Sequence, residues 1–371
     1  MAAPRYIQDI LTRPNPGLTD KWNGTINTIP RRNKYDVVDI SSVTKWTDFT
    51  YDAINLAYGD ILKTDINTVA ELNPYRAPHS LSETPTTICE ESDLRILGFL
   101  WSCNIVRGPL KAAALALRPR LTTAGLIHRP ENSNDSQQSV PQPPTITLAP
   151  NTGVLTWATK FPAAEDANDS QGTEGEEAGE AEDKDDLVIS TDWIVFDREL
   201  FKTYHFDAEK TEKPVVYTLG VNKLAQEWQS DWLELADLDA FLGPLQQVAT
   251  YCRYVETRYA YIITQKELVA LRVSALPSSE DGVHHAAIEY AAIPWESSDG
   301  LTVNLAIWAL GCMGLNDEYR GIDGPKARLT DWVRHHDPAT EADCYQNVIS
   351  KREIAHADWD DAKDSRFFTF V

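Results

Sequence analysis

The chain has 371 residues and a formal net charge of −22, with 42% apolar and 24% charged residues. That much apolar material sustains one large or two ordinary globular cores and excludes a wholly disordered chain. The most apolar stretch, 96–117, is interrupted by Arg107, Gly108, Pro109 and Lys111, so no membrane span is expected. Met1–Pro16 lacks the apolar run of a secretory signal, so none is expected there. Cys89, Cys103, Cys252, Cys312 and Cys344 are widely spread with no CxxC pair. They read as reduced thiols of an intracellular protein, in cytoplasm or nucleus.

In chain order, residues 1–30 are proline-rich and read as extended. Trp46, Phe49, Ile54, Tyr58 and Leu62 recur near helical spacing and predict a short helix. Glu90–Leu117 predicts one long helix, or two that meet at Gly108-Pro109. Residues 129–144 (RPENSNDSQQSVPQPP) have the composition of a linker. Gly153–Lys160, Leu187–Asp197 and Pro214–Val221 read as three strands. Between the first two, Glu165–Asp186 carries eleven carboxylates against Lys184 and nothing apolar larger than alanine. Such a run cannot bury enough surface to offset its ordering entropy, so 164–186 is expected to be a disordered insert between strands. It is also a candidate contact for a basic protein partner. The remaining charge of −12 still offers no basic face of the kind nucleic acid attracts.

Further along, Lys223–Leu235 and Asp239–Glu256 predict helices, the second with Leu242, Leu245, Val248, Ala249 and Cys252 on one side. Arg258–Thr264 and Leu268–Ser274 read as a hairpin whose turn lacks glycine. Ala286–Ile293 reads as a strand and Leu301–Leu315 as a helix, and the ending Phe367-Phe368-Thr369-Phe370-Val371 is expected to be docked. The pairs His284-His285 and His335-His336 invite a metal reading, but neighbours in sequence point apart. Trp228 and Trp232 read as core in preference to a stacking platform. The expected class is α+β, a helix followed by a three-strand antiparallel meander, a helix and further strands, with a helical N-terminal region.

Three short stretches recur in a fixed order: Thr191-Asp192-Trp193, Gly220-Val221-Asn222-Lys223, and a helix with Gln247 four residues before Tyr251. In this the chain resembles the PD-(D/E)XK nuclease-like superfamily, and in particular a group of filamentous-fungal proteins that carry that core. The expected organisation is an N-terminal extension with the leading core helices (1–128), the linker at 129–144, a nuclease-like core at 145–320 and a C-terminal extension (321–371). Pro214–Leu315 carries most of the resemblance, which covers 187–320 with the helix at 90–117 as leading core helix. It implies a phosphodiester site in which two acids hold Mg²⁺ and a lysine steadies the reacting water. Carried onto this sequence, it implies Asp192 as first acid, Lys223 as the lysine and Gln247 as the helix glutamine. The second acid position holds Val221, which can neither ligate a metal nor carry charge. The resulting expectation is a catalytically degenerate scaffold that serves as a binding or regulatory module. One alternative is a Mg²⁺-dependent nuclease with a relocated ligand (Glu227 first, then Asn222, Asp197 or Glu199, alongside Asp192). Another is an interaction protein that uses the acidic insert.

Overall fold

A computed structural model describes residues 5–22, 38–69, 86–124, 146–150, 158–159, 187–188, 191–197, 215–234, 241–277, 283–298, 300–337, 342–356, 358–359 and 369–370. The expected linker at 129–144 and the acidic insert at 164–186 lie outside the described residues. Seven strands form the central sheet: β1 (Val38–Lys45), β2 (Ile146–Pro150), β3 (Trp193–Asp197), β4 (Val216–Asn222), β5 (Tyr259–Ile263), β6 (Glu267–Leu276) and β7 (His284–Pro294). Their spatial order is β1-β7-β6-β5-β4-β3-β2. β2, β3 and β4 are antiparallel neighbours, β4 and β5 are parallel, β5 to β7 alternate, and β1 joins β7 in parallel. The molecule is therefore α+β, built on one large mixed sheet.

The helices are α1 (Ile7–Leu11), α2 (Tyr51–Leu62), α3 (Glu91–Leu97), α4 (Asn104–Thr123), α5 (Gly243–Val255), α6 (Val303–Gly314) and α7 (Asp317–Arg320). Both faces of the sheet are covered, which is why its inner strands read as continuous apolar runs. Trp193, Val195, Tyr217, Tyr261 and Ile263 face the core made with α2, α4 and α6. Ile194, Phe196, Leu219, Val221 and Ile262 face the core made with α5. The hairpin turn without glycine closes through Thr264, whose hydroxyl accepts the N–H groups of Lys266 and Glu267, each at 3.1 Å.

Four expectations change. The meander begins at β2 and not at 153–160, of which only Ala158–Thr159 is described, paired with Leu187–Val188. No regular helix follows Lys223. The chain turns at 225–227 and makes a short 3₁₀ helix at Ser230–Glu234, because Trp228 is drawn into the sheet core with its indole N–H on Phe241 O (3.0 Å). The long helix runs through Gly108-Pro109, and its irregularity falls at Gly98–Cys103, which is π-helical. β1 was not anticipated; its burial is irregular and its pairing to β7 contains a bulge, so no clean alternation marks it.

Residues 321–371 carry a second, small sheet: β8 (Asp331–Asp337), β9 (Ala342–Asn347), β10 (Glu353–Ala355) and the pair Thr369–Phe370, which lies parallel to Asp331–Trp332. Thr369–Phe370 is thus held by backbone pairing, and the rest of the expected docked ending, 367, 368 and 371, lies outside the described residues. An aromatic cluster supports this sheet, with Tyr345 stacked on Trp359 at 4.0 Å and Trp332 edge-on to Trp359 at 5.2 Å. Leu329 and Ile349 join the main core, and a polar centre adds to that connection: Arg272 on β6, fully buried, grips Glu289 on β7 with two N–H groups (2.8 and 3.0 Å) and Ala327 O with a third (2.7 Å). The guanidinium also lies 4.7 Å from the Trp46 ring. Beside it, buried Arg258 holds the carbonyls of Gly321 and Gly324.

Burial alone would raise the Glu289 carboxyl, but hydrogen bonds and charge from Arg272 and Lys326 outweigh it and hold the group below its ordinary 4.5. A carboxyl depressed on folding contributes stability that is complete above the unfolded value and lost as pH falls through the folded one. Arg272→Met should therefore cost about 3 kcal/mol near neutrality. In urea unfolding at several pH values, the gap between wild type and variant should narrow as pH falls below 4.5.

Candidate functional site

Sheet topology decides which predicted residues share a neighbourhood. β4 ends at Asn222, the antiparallel β3 begins just after Asp192, and the parallel β5 ends at Ile263, paired with Asn222. α5 returns the chain to the start of β5, so its first turns, with Gln247, lie toward this same end. The ladder ends at Trp193↔Gly220, so Asp192 lies just beyond it, beside the end of β4 that carries Val221. Asp192, Val221 and Lys223 thus gather at one sheet end, with Gln247 on the helix above it.

Side-chain contacts are more selective. Asp192 Oδ2 accepts the Asn222 backbone N–H at 2.8 Å, and Asp192 N–H donates to Gly220 O at 3.0 Å. Asp192 Oδ1 takes an N–H of Arg95 at 2.5 Å. Asn222 Oδ1 accepts the Trp193 indole N–H at 2.9 Å. Lys223 is anchored by its backbone N–H on Ile263 O (3.0 Å), and among the described residues no carboxylate pairs with its ammonium. Gln247 donates to the Tyr251 hydroxyl one turn later (3.0 Å); no hydrogen bond joins it to Asp192 or Lys223 among the described residues. Tyr261 lies over Gly220, where a Cβ would meet its ring at 2.3 Å. Burial, then the Cys103 thiol and the Asp192 carboxylate, push the Tyr261 phenol well above its ordinary value, so it stays protonated.

A magnesium site fits these residues poorly. Mg²⁺ requires several hard oxygen ligands in a tight octahedron. Asp192 has both oxygens engaged, Val221 offers none, and Asn222 Oδ1 is taken. Glu227 sits exposed on the turn after β4, with its backbone N–H on Leu224 O. Asp197 is at the opposite end of β3, roughly 16 Å from Asp192 at about 3.3 Å per residue. Glu199 lies outside the described residues. Among the described residues no three histidines, cysteines or carboxylates group as a metal site.

Arg95 is the participant that sequence reading missed. It stands 97 positions before Asp192, and no motif links them. α3 is fixed at its start by Asp93, which accepts the N–H groups of Cys89 and Glu90 (2.7 and 3.0 Å). Gly98 then brings the helix against Trp193, where a Cβ would meet the indole at 2.6 Å. π-helical segments often mark functional places, and this one wraps the edge of the candidate site. A polar cluster continues the same sheet end: Gln265 accepts Ala225 N–H (2.8 Å) and donates to Gln226 (2.7 Å) and Asp20 (3.2 Å). Next to it a solvent-open cavity of about 330 Å³ is lined by Leu18, Asp20, Gln265, Lys266, Trp295 and Glu296. Neither Asp192 nor Lys223 lines it.

No protein-family model, no curated protein and no solved structure matches this chain. Among the described residues no helix is long and apolar enough to cross a membrane.

Gly98→Ala should force α3 away from Trp193 and cost about 1–3 kcal/mol, measured by urea unfolding. Trp193 fluorescence should change with it, whereas an alanine at the open Gly321, whose added Cβ has nothing nearer than 3.9 Å, should leave both unchanged.

Proposed function

We propose that this chain is a catalytically degenerate relative of the PD-(D/E)XK nuclease-like proteins and acts as a binding or regulatory module. The order α4, antiparallel β2-β3-β4, α5, then β5 parallel to β4 supports the kinship, since it is the order that the resemblance implies. One observation carries the loss of catalysis: the acid of the motif, Asp192, is paired with Arg95, and Val221 stands where a second acid is required. Hydrolysis of a phosphodiester by this route needs a cation that acidifies water. A guanidinium neutralises charge but cannot bind and ionise a water as a metal does. Among the described residues no carboxylate pairs with Lys223.

The test is incubation of the purified full chain with labelled single- and double-stranded DNA and RNA in millimolar Mg²⁺ or Mn²⁺. The expected result is no cleavage above that of Asp192→Ala. Cleavage that disappears in Asp192→Ala or Lys223→Ala would overturn this reading and favour the enzyme with a relocated ligand such as Glu227.

A further inference from the structure

Asp192 is neutralised from within the chain, by a guanidinium on a helix that is itself anchored. The Asp192 side chain is 12% exposed and that of Arg95 48%, so the pair closes over the acid while the guanidinium edge stays open to solvent. α3 cannot drift from this position easily. Asp93 ties its first turn, Gly98 is seated on the Trp193 indole, and Leu94 and Leu97 pack with Leu224, the residue after Lys223. The helix therefore bridges the two strand ends that carry Asp192 and Lys223. On the acid itself, Arg95 takes one oxygen and a backbone N–H takes the other. Each oxygen of the acid therefore already has one donor.

We infer that Arg95 is the resident cation of this sheet end: its guanidinium holds the place on Asp192 that a divalent ion takes in the family which the chain resembles. The inference rests on the nuclease-like reading for where such an ion would sit, and it adds what replaced the metal. A buried carboxylate left unpaired is costly, and loss of a second acid removes the means to hold Mg²⁺. A permanently charged, planar group on a neighbouring helix satisfies the remaining acid without metal. It makes the site independent of divalent ions, and it leaves Nε and Nη1 of the half-exposed Arg95 as the cationic rim of the module.

The experiment uses the full chain as wild type, Arg95→Met, Arg95→Lys, Asp192→Asn and the double variant Arg95→Met/Asp192→Asn. Thermal unfolding is followed in EDTA and in millimolar Mn²⁺, and bound Mn²⁺ by electron paramagnetic resonance. Wild type should melt at the same temperature in both solutions and hold no Asp192-dependent Mn²⁺. Arg95→Met and Asp192→Asn should each lower the melting temperature by several degrees, and the double variant should fall no further than the worse single one. Arg95→Lys should lie between wild type and Arg95→Met. Folded Arg95→Met should gain weak Mn²⁺ binding that the double variant lacks, a change that a merely structural ion pair would not produce. Mn²⁺ bound by wild type and lost in Asp192→Asn would overturn the inference, as would full additivity of the two single effects or no Mn²⁺ gain in folded Arg95→Met. If Arg95→Met does not fold, the wild-type and Asp192→Asn titrations decide. Metal binding without nucleic-acid cleavage overturns this inference alone, whereas cleavage overturns the degenerate reading.

Discussion

Parallel pairing of β4 with β5 in the middle of the sheet constrains most of what surrounds it. Two parallel neighbours cannot be joined by a tight turn, so the chain must cross over one face before it can pair again. α5 makes that crossing and covers one side of the sheet, which leaves the other side to α2, α4 and α6. The same pairing sets the end of β4, the end of β5 and the start of β3 side by side. Whatever chemistry the middle of this sheet supports is concentrated there, because loops and strand ends expose polar backbone and side chains that the covered faces do not.

At that end the dominant theme is satisfaction of a single acid. Asp192 is polar in an otherwise apolar setting, and each of its oxygens has a donor. The donors come from two directions, a backbone N–H on the adjacent strand and a guanidinium on a helix from much earlier in the chain. The second is the more informative. It requires a glycine where α3 touches Trp193 and a π-helical stretch where the helix passes the sheet edge. These features have no use in an isolated helix, and together they seat Arg95. The neighbouring Asp20–Gln226–Gln265 cluster shows the same economy of donors and acceptors, with Gln265 using both ends of its amide.

A second polar system, around Arg258 and Arg272, holds the C-terminal sheet to the main one. Both guanidinium groups are buried, and their partners are chiefly backbone carbonyls of 321–327 and the Glu289 carboxylate. Long apolar side chains could fill the same volume, but they could not terminate those carbonyls. Asn316, Asn347 and Ser350 extend the pattern toward α2, each through a backbone carbonyl. The aromatic cluster of Trp332, Tyr345 and Trp359 packs against Leu56 of α2.

The sequence by itself determined the class of fold and the elements with strong local signatures. β-branched and aromatic runs marked β3 to β7, the apolar side of 239–256 marked α5, and helical spacing marked α2, because these patterns depend only on neighbours in the chain. It also determined that Asp192, Val221 and Lys223 belong to strand ends, and that Gln247 and Tyr251 share a helix face. Weak or irregular patterns hid the rest: β1 carries a bulge, β2 is short, and Trp228 pulls the chain out of the helix that its composition suggested. Only the tertiary structure decided that Arg95 meets Asp192, that Gln247 bonds Tyr251 and not the acid, and that the long helix breaks its regularity at Gly98 instead of at proline. Those outcomes depend on the approach of one element to another across large sequence separations. Local propensity carries no record of which distant side chain will arrive, since that is set by how the covered faces of the sheet pack.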